Sequence, residues 1–127
     1  MKRGIFSLAC IVGLAVSGSS VLLAQNNPVP ASSNISGVRY PAILPDNSVV
    51  FQINAPSATK MQIDLGRLYD MQRDSSGAWT VTTAPQVPGF HYYSLVIDGV
   101  RVADPASETY FGTGRMSSAV EVPEPGV

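Results

Sequence analysis

From Val49 onward the chain alternates apolar and polar residues with a period of two, and it nowhere sustains the 3.6-residue period of a helix for longer than a turn. Val49, Phe51 and Ile53 share one face with Gln52 and Asn54 opposite, and Met61, Ile63 and Leu65 stand against Lys60, Gln62 and Asp64. Successive side chains of a strand point to opposite sides, so each run is a strand with one buried face. Pro56 lacks the amide proton that a ladder needs, which makes Ala55-Pro56-Ser57-Ala58 a turn between them.

The pattern then repeats. Tyr69 and Met71 alternate with Asp70 and Gln72, Asp74-Ser75-Ser76-Gly77 supplies turn chemistry, and Trp79, Val81 and Thr83 alternate with Thr80 and Thr82, which predicts a hairpin. After a break at Pro85 to Gly89, Phe90 to Ile97 runs into Asp98-Gly99, a dipeptide suited to the positive φ angles of a type I′ turn, and returns as Val100 to Val102. Strands arriving about every ten residues between Pro and Gly punctuation predict an all-β fold, an antiparallel β-sandwich. In that sandwich Tyr93, Leu95 and Ile97 point inward to meet Phe51, Ile53, Met61 and Ile63.

The chain has 127 residues, a one-domain length. Its first 24 residues read as a secretory signal peptide: Lys2 and Arg3 precede an apolar run from Ile5 to Val16, and Leu22-Leu23-Ala24 offers a small residue before Gln25. Cleavage there predicts a secreted or periplasmic protein and removes Cys10, the one cysteine, so no disulfide supports the fold. Residues 25–37, rich in Asn, Pro and Ser, read as a flexible leader, with the sandwich domain over 38–110 and a linker over 111–127.

Charge and residue inventory exclude several functions. Charged residues make up 13% of the chain and the net charge is −1, so no electrostatic footprint for nucleic acid exists, and no membrane partner is expected after signal cleavage. With one Cys and one His, the residues for a Cys/His metal site are missing, and no cofactor is implied. The Gly-x-Ser-x-Gly elbow of an α/β-hydrolase does not occur. His91 has no nucleophile or orienting partner at readable spacing, so it stands as a structural or surface residue and the chain as a non-enzyme.

Carbohydrate binding remains open. Sugar rings pack their CH-rich faces on aromatic side chains while guanidinium and carboxylate groups take the hydroxyls, and Tyr69, Trp79 and Arg101 form the candidate set. Trp79 fits either this platform or the strand core beside its turn. Tyr92, opposite in parity to Tyr93, is expected to be exposed.

Several motifs add a resemblance. Val49-x-Phe51-x-x-x-Ala55-Pro56-x-Ala58-x-x-Met61, Gly77-x-Trp79, Pro88-Gly89-Phe90-His91-Tyr92-Tyr93-x-Leu95-x-Ile97-Asp98-Gly99 and Asp104-Pro105 resemble the early-set, immunoglobulin-like domains related to glycogen-recognition modules, over about residues 38 to 105. Ser94 and Arg101 stand where those modules carry Lys and Trp, so glycogen binding is not implied. The tail Tyr110-Phe111-Gly112-x-Gly114-Arg115-x-Ser117-Ser118-x-Val120-Glu121-Val122-Pro123-Glu124 resembles the junction that joins such a domain to the α/β-hydrolase of secreted feruloyl and acetyl-xylan type esterases. The resemblance implies a non-catalytic accessory domain that packs on or positions a downstream esterase domain, with plant cell-wall polysaccharide as a further partner. A freestanding, weak carbohydrate-binding module is the alternative.

Overall fold

The computed structural model describes residues 27–112 and 114–126; the expected signal peptide lies outside them. Eleven strands occur among these residues: β1 (Val29–Pro30), β2 (Ala42–Ile43), β3 (Val49–Asn54), β4 (Met61–Asp64), β5 (Leu68–Asp70), β6 (Gln72–Arg73), β7 (Ala78–Thr82), β8 (Gly89–Ile97), β9 (Val100–Val102), β10 (Tyr110–Phe111) and β11 (Met116–Val122). They form two antiparallel sheets, one ordered β1-β2-β3-β7-β6 and the other β10-β11-β8-β4-β5, with β9 added along β8. The all-β sandwich expected from the period-two pattern is the observed fold.

Its core is the apolar parity of that pattern. Val49, Phe51 and Trp79 from the first sheet meet Met61, Ile63, Tyr69, Tyr93, Leu95, Val120 and Val122 from the second, all buried. Phe51 and Tyr93 touch edge to face across the layer, with ring centroids 4.9 Å apart. Burying a side chain of this size contributes about 1.5–3 kcal/mol, so the layer is the main source of stability in a domain without a bridge.

The Asp98-Gly99 turn joins Ile97 to Val100 with φ of 48° and 87°, the left-handed pair that the dipeptide predicts. Asp98 also reaches beyond its own turn. Its carboxylate accepts from the Thr59 N–H, the Thr59 hydroxyl and the Lys60 N–H, at 2.9, 2.6 and 2.7 Å, and so ties this hairpin to the start of β4.

Three expectations need correction. The hairpin ahead of Trp79 is made by Gln72 and Arg73, whereas Tyr69 belongs to β5 in the other sheet, so the chain changes sheets at Met71. Residues 29–37 are packed on the domain: β1 pairs with β2, Ala31 is buried, Asn34 donates to the carbonyls of Val38 and Pro41, and the Ser33 hydroxyl accepts from the Glu121 N–H. Turns and isolated backbone contacts rather than a long ladder satisfy this segment, the N–H groups of Ala31, Asn34 and Ile35 donating to the carbonyls of Pro41, Ala31 and Ala106, which is why no period shows. Most of the expected linker is a strand, since β11 pairs with β8 from Ser118↔Tyr93 to Val122↔Gly89 and buries Val120 and Val122. Two consecutive serines disguised it; both are buried.

Candidate outer-face site

The alternation that sends Tyr93, Leu95 and Ile97 into the core sends Phe90, Tyr92, Ser94 and Val96 to the outer face of the second sheet. On β4 the same parity turns Asp64 outward opposite Ser94, and on β9 it sets Arg101 opposite Val96. The Arg101 guanidinium donates to the Asp64 carboxylate across β8, forming an ion pair that roofs the strand and leaves Ser94 and Val96 buried although they face away from the core. The pair is partly exposed, and pairs of this kind contribute about 0–1 kcal/mol, so its role is placement more than stability.

Beside it lies a depression of about 250 Å³ lined by Asp64, Ser94, Arg101, Tyr92, Arg115 and Ser117, among others. The Tyr92 ring is held edge-on to Phe90 at 5.2 Å, and Phe90 is edge-on to Tyr110 at 5.1 Å, giving a chain of three aromatics across β8, β11 and β10. Backbone closes on the far end of this ring: a Cβ on Gly112 would stand 1.8 Å from the Tyr92 hydroxyl, so only glycine allows the approach. The result is an aromatic wall, a buried serine floor and two guanidinium groups at the rim.

Behind the floor a polar network holds β8, β11 and the 103–107 loop together. The Tyr93 phenol donates to Asp104 Oδ2 at 2.7 Å, the Ala106 N–H donates to Oδ1 at 2.9 Å, and the Asp104 N–H donates to the Ser118 hydroxyl at 2.7 Å. Ser107 accepts from the Ala119 N–H at 3.1 Å. Burial, and then the Asp104 charge, push the Tyr93 phenol far above the ordinary tyrosine range, so it remains the donor.

The structure does not bring Tyr69, Trp79 and Arg101 together. Tyr69 and Trp79 are 9% and 7% exposed and belong to the core, so neither ring face is open to a sugar. The Trp79 indole donates to the Ala55 carbonyl at 2.9 Å, and the Arg67 guanidinium lies 4.3 Å above the Tyr69 ring. Arg101 alone of the three faces the depression. Tyr92 is exposed, and Asp64, Ser94, Arg115 and Ser117 join it unannounced. Parity with Ile63 and Tyr93 would have marked Asp64 and Ser94 as outward, but Arg115 and Ser117 were hidden by reading the tail as linker.

His91 Nε2 donates to the Val87 carbonyl at 2.6 Å, a contact that orients the ring within its own strand end. Among the described residues no group of three His, Cys, Asp or Glu side chains is placed to hold a metal ion, and no helix is long and apolar enough to cross a membrane.

No family model matches the chain. It is 38% identical over 100 residues to the endo-1,4-beta-xylanase/feruloyl esterase of Xylanibacter ruminicola, a match that takes in 75% of this chain and 14% of the relative. The chain thus spans about a seventh of the length of that curated protein. Among solved structures, a Salmonella typhimurium protein assigned as an alpha amylase aligns with a TM-score of 0.50 and 32% identity, over 62% of this chain and 13% of the other. The type I pullulanase of Bacillus subtilis, solved with maltose, aligns with a TM-score of 0.52 at 16% identity over 81% and 15%, a likeness of fold alone. What matches is one β domain within much longer, carbohydrate-active chains.

Proposed function

We propose that this chain is a non-catalytic, early-set immunoglobulin-like accessory domain of an exported carbohydrate esterase, and that it packs on or positions an α/β-hydrolase domain. The observation that carries this reading is the 38% identity to a small part of a xylanase/feruloyl esterase. The chemistry agrees: the chain has no Gly-x-Ser-x-Gly elbow, and its single histidine is engaged with a backbone carbonyl. Fold by itself does not transfer function, so the test must reach the partner. The reading frame around this sequence should continue into a hydrolase elbow, and the purified chain should leave aryl acetates and feruloyl esters intact. A frame that holds no hydrolase domain, or hydrolysis abolished by His91→Ala, would overturn the proposal.

A second reading is favoured by the depression itself. Tyr92, Arg101, Asp64 and the serine floor are the groups that take a sugar ring and its hydroxyls, so the domain also binds a saccharide weakly on the outer face of the second sheet.

A further inference from the structure

Resting on that second reading, we propose that the depression selects an acidic saccharide, one whose ring carries a carboxylate, such as a hexuronate. The lining holds two guanidinium groups and one carboxylate. Asp64 is taken by Arg101, whereas Arg115, exposed at the rim, has no carboxylate within ion-pair distance among the described residues. The lining is therefore net positive in a chain whose overall charge is −1. A neutral ring would leave the Arg115 fork without an anionic acceptor; a carboxylate matches it with two parallel N–H···O bonds.

The remaining lining suits the rest of such a ring. Ser94 and Ser117 are buried as residues, and both border the depression. Serine hydroxyls on a sheet floor are donors and acceptors for sugar hydroxyls, and Tyr92 supplies an aromatic wall for the CH face. The volume, about 250 Å³, falls below the roughly 300–1,000 Å³ of sites that enclose drug-sized ligands, a scale that fits one ring with its substituent rather than a run of rings.

The experiment is calorimetric titration of the full chain with a xylo-oligosaccharide bearing one glucuronate and with its unsubstituted counterpart. The acidic sugar should bind about fivefold tighter, the yield of one largely exposed ion pair, and the preference should shrink as salt is added. Arg115→Gln should abolish the preference while leaving circular dichroism unchanged. Asp64→Asn, by releasing Arg101, should widen it. Equal affinity for the two sugars, or a preference that survives Arg115→Gln, would overturn the acidic assignment and leave the saccharide reading standing. Binding to neither sugar would overturn both.

Discussion

Removing one oxygen from Tyr93 tests whether the polar network beneath the site holds the domain together. In Tyr93→Phe the ring stays, and with it the edge contact to Phe51, so no cavity larger than a hydroxyl opens. What is lost is the only side-chain donor to Asp104 Oδ2 among the described residues, at a position 2% exposed. A hydrogen bond to a charged group contributes about 1.5–3 kcal/mol, and an orphaned buried acceptor retains its desolvation cost, so the expected loss is about 2 kcal/mol. At about 4–8 °C per kcal/mol for a domain of this size, the melting temperature should fall by about 8–16 °C. Urea unfolding followed by circular dichroism gives the free energy, and a double-mutant cycle with Asp104→Asn isolates the pair. A loss under about 0.5 kcal/mol, or a cycle with no coupling, would refute the claim that this bond anchors the 103–107 loop to β8.

The other expectations are shorter. Trp79→Phe, which removes the indole donor to the Ala55 carbonyl, should cost about 1–2 kcal/mol by urea unfolding, and native Trp79 emission should be blue-shifted and resist acrylamide; red-shifted, quenchable emission would place the indole at the surface. Gly112→Ala should push the Tyr92 ring off its seat and weaken saccharide binding while changing stability little, a combination read by calorimetry beside thermal melting. The carboxyls of Asp46, Asp74 and Asp98 are held below their ordinary value of 3.8, by the Ser48 backbone, the Ser76 side chain and the Thr59 side chain respectively, each as the largest cause. Folded values below unfolded ones give stability that is present above pH 3.8 and is lost as pH falls below it, so the urea midpoint should hold steady through neutrality and drop in acid; a midpoint that rises in acid would contradict the assignment.

How legible the fold was depends on what each strand uses to satisfy itself. Strands β3, β4, β7 and β8 bury one face against the other sheet, so hydrophobic alternation announces them, and the Asp98-Gly99 turn could be placed to the residue. Strand β11 escaped because Ser118 sits where the pattern requires an apolar residue; Ser118 belongs there because its hydroxyl accepts the Asp104 N–H, from a residue 14 positions away in sequence but close in space. The site suffered from the same gap. Trp79 and Tyr69 drew attention as large aromatics, yet size favours burial as much as binding, and only three-dimensional pairing reveals that Arg101 meets Asp64 over Ser94.

Strand β8 is where fold and site become one question. Its inward residues Tyr93, Leu95 and Ile97 build the core while its outward residues Tyr92 and Ser94 build the depression, and a slip of one residue against β4 would exchange the two sets. The register is therefore constrained from both sides: apolar burial on one, and on the other the Asp64–Arg101 pair, which spans β4, β8 and β9 only when Asp64 lies opposite Ser94 and Arg101 opposite Val96. Asp98 adds a third constraint by binding Thr59 and Lys60 just before β4 begins. A surface ion pair of little energetic consequence thus has a specific structural one. Because core packing outweighs it by many kcal/mol, the outer face is free to change its chemistry without loss of the sandwich.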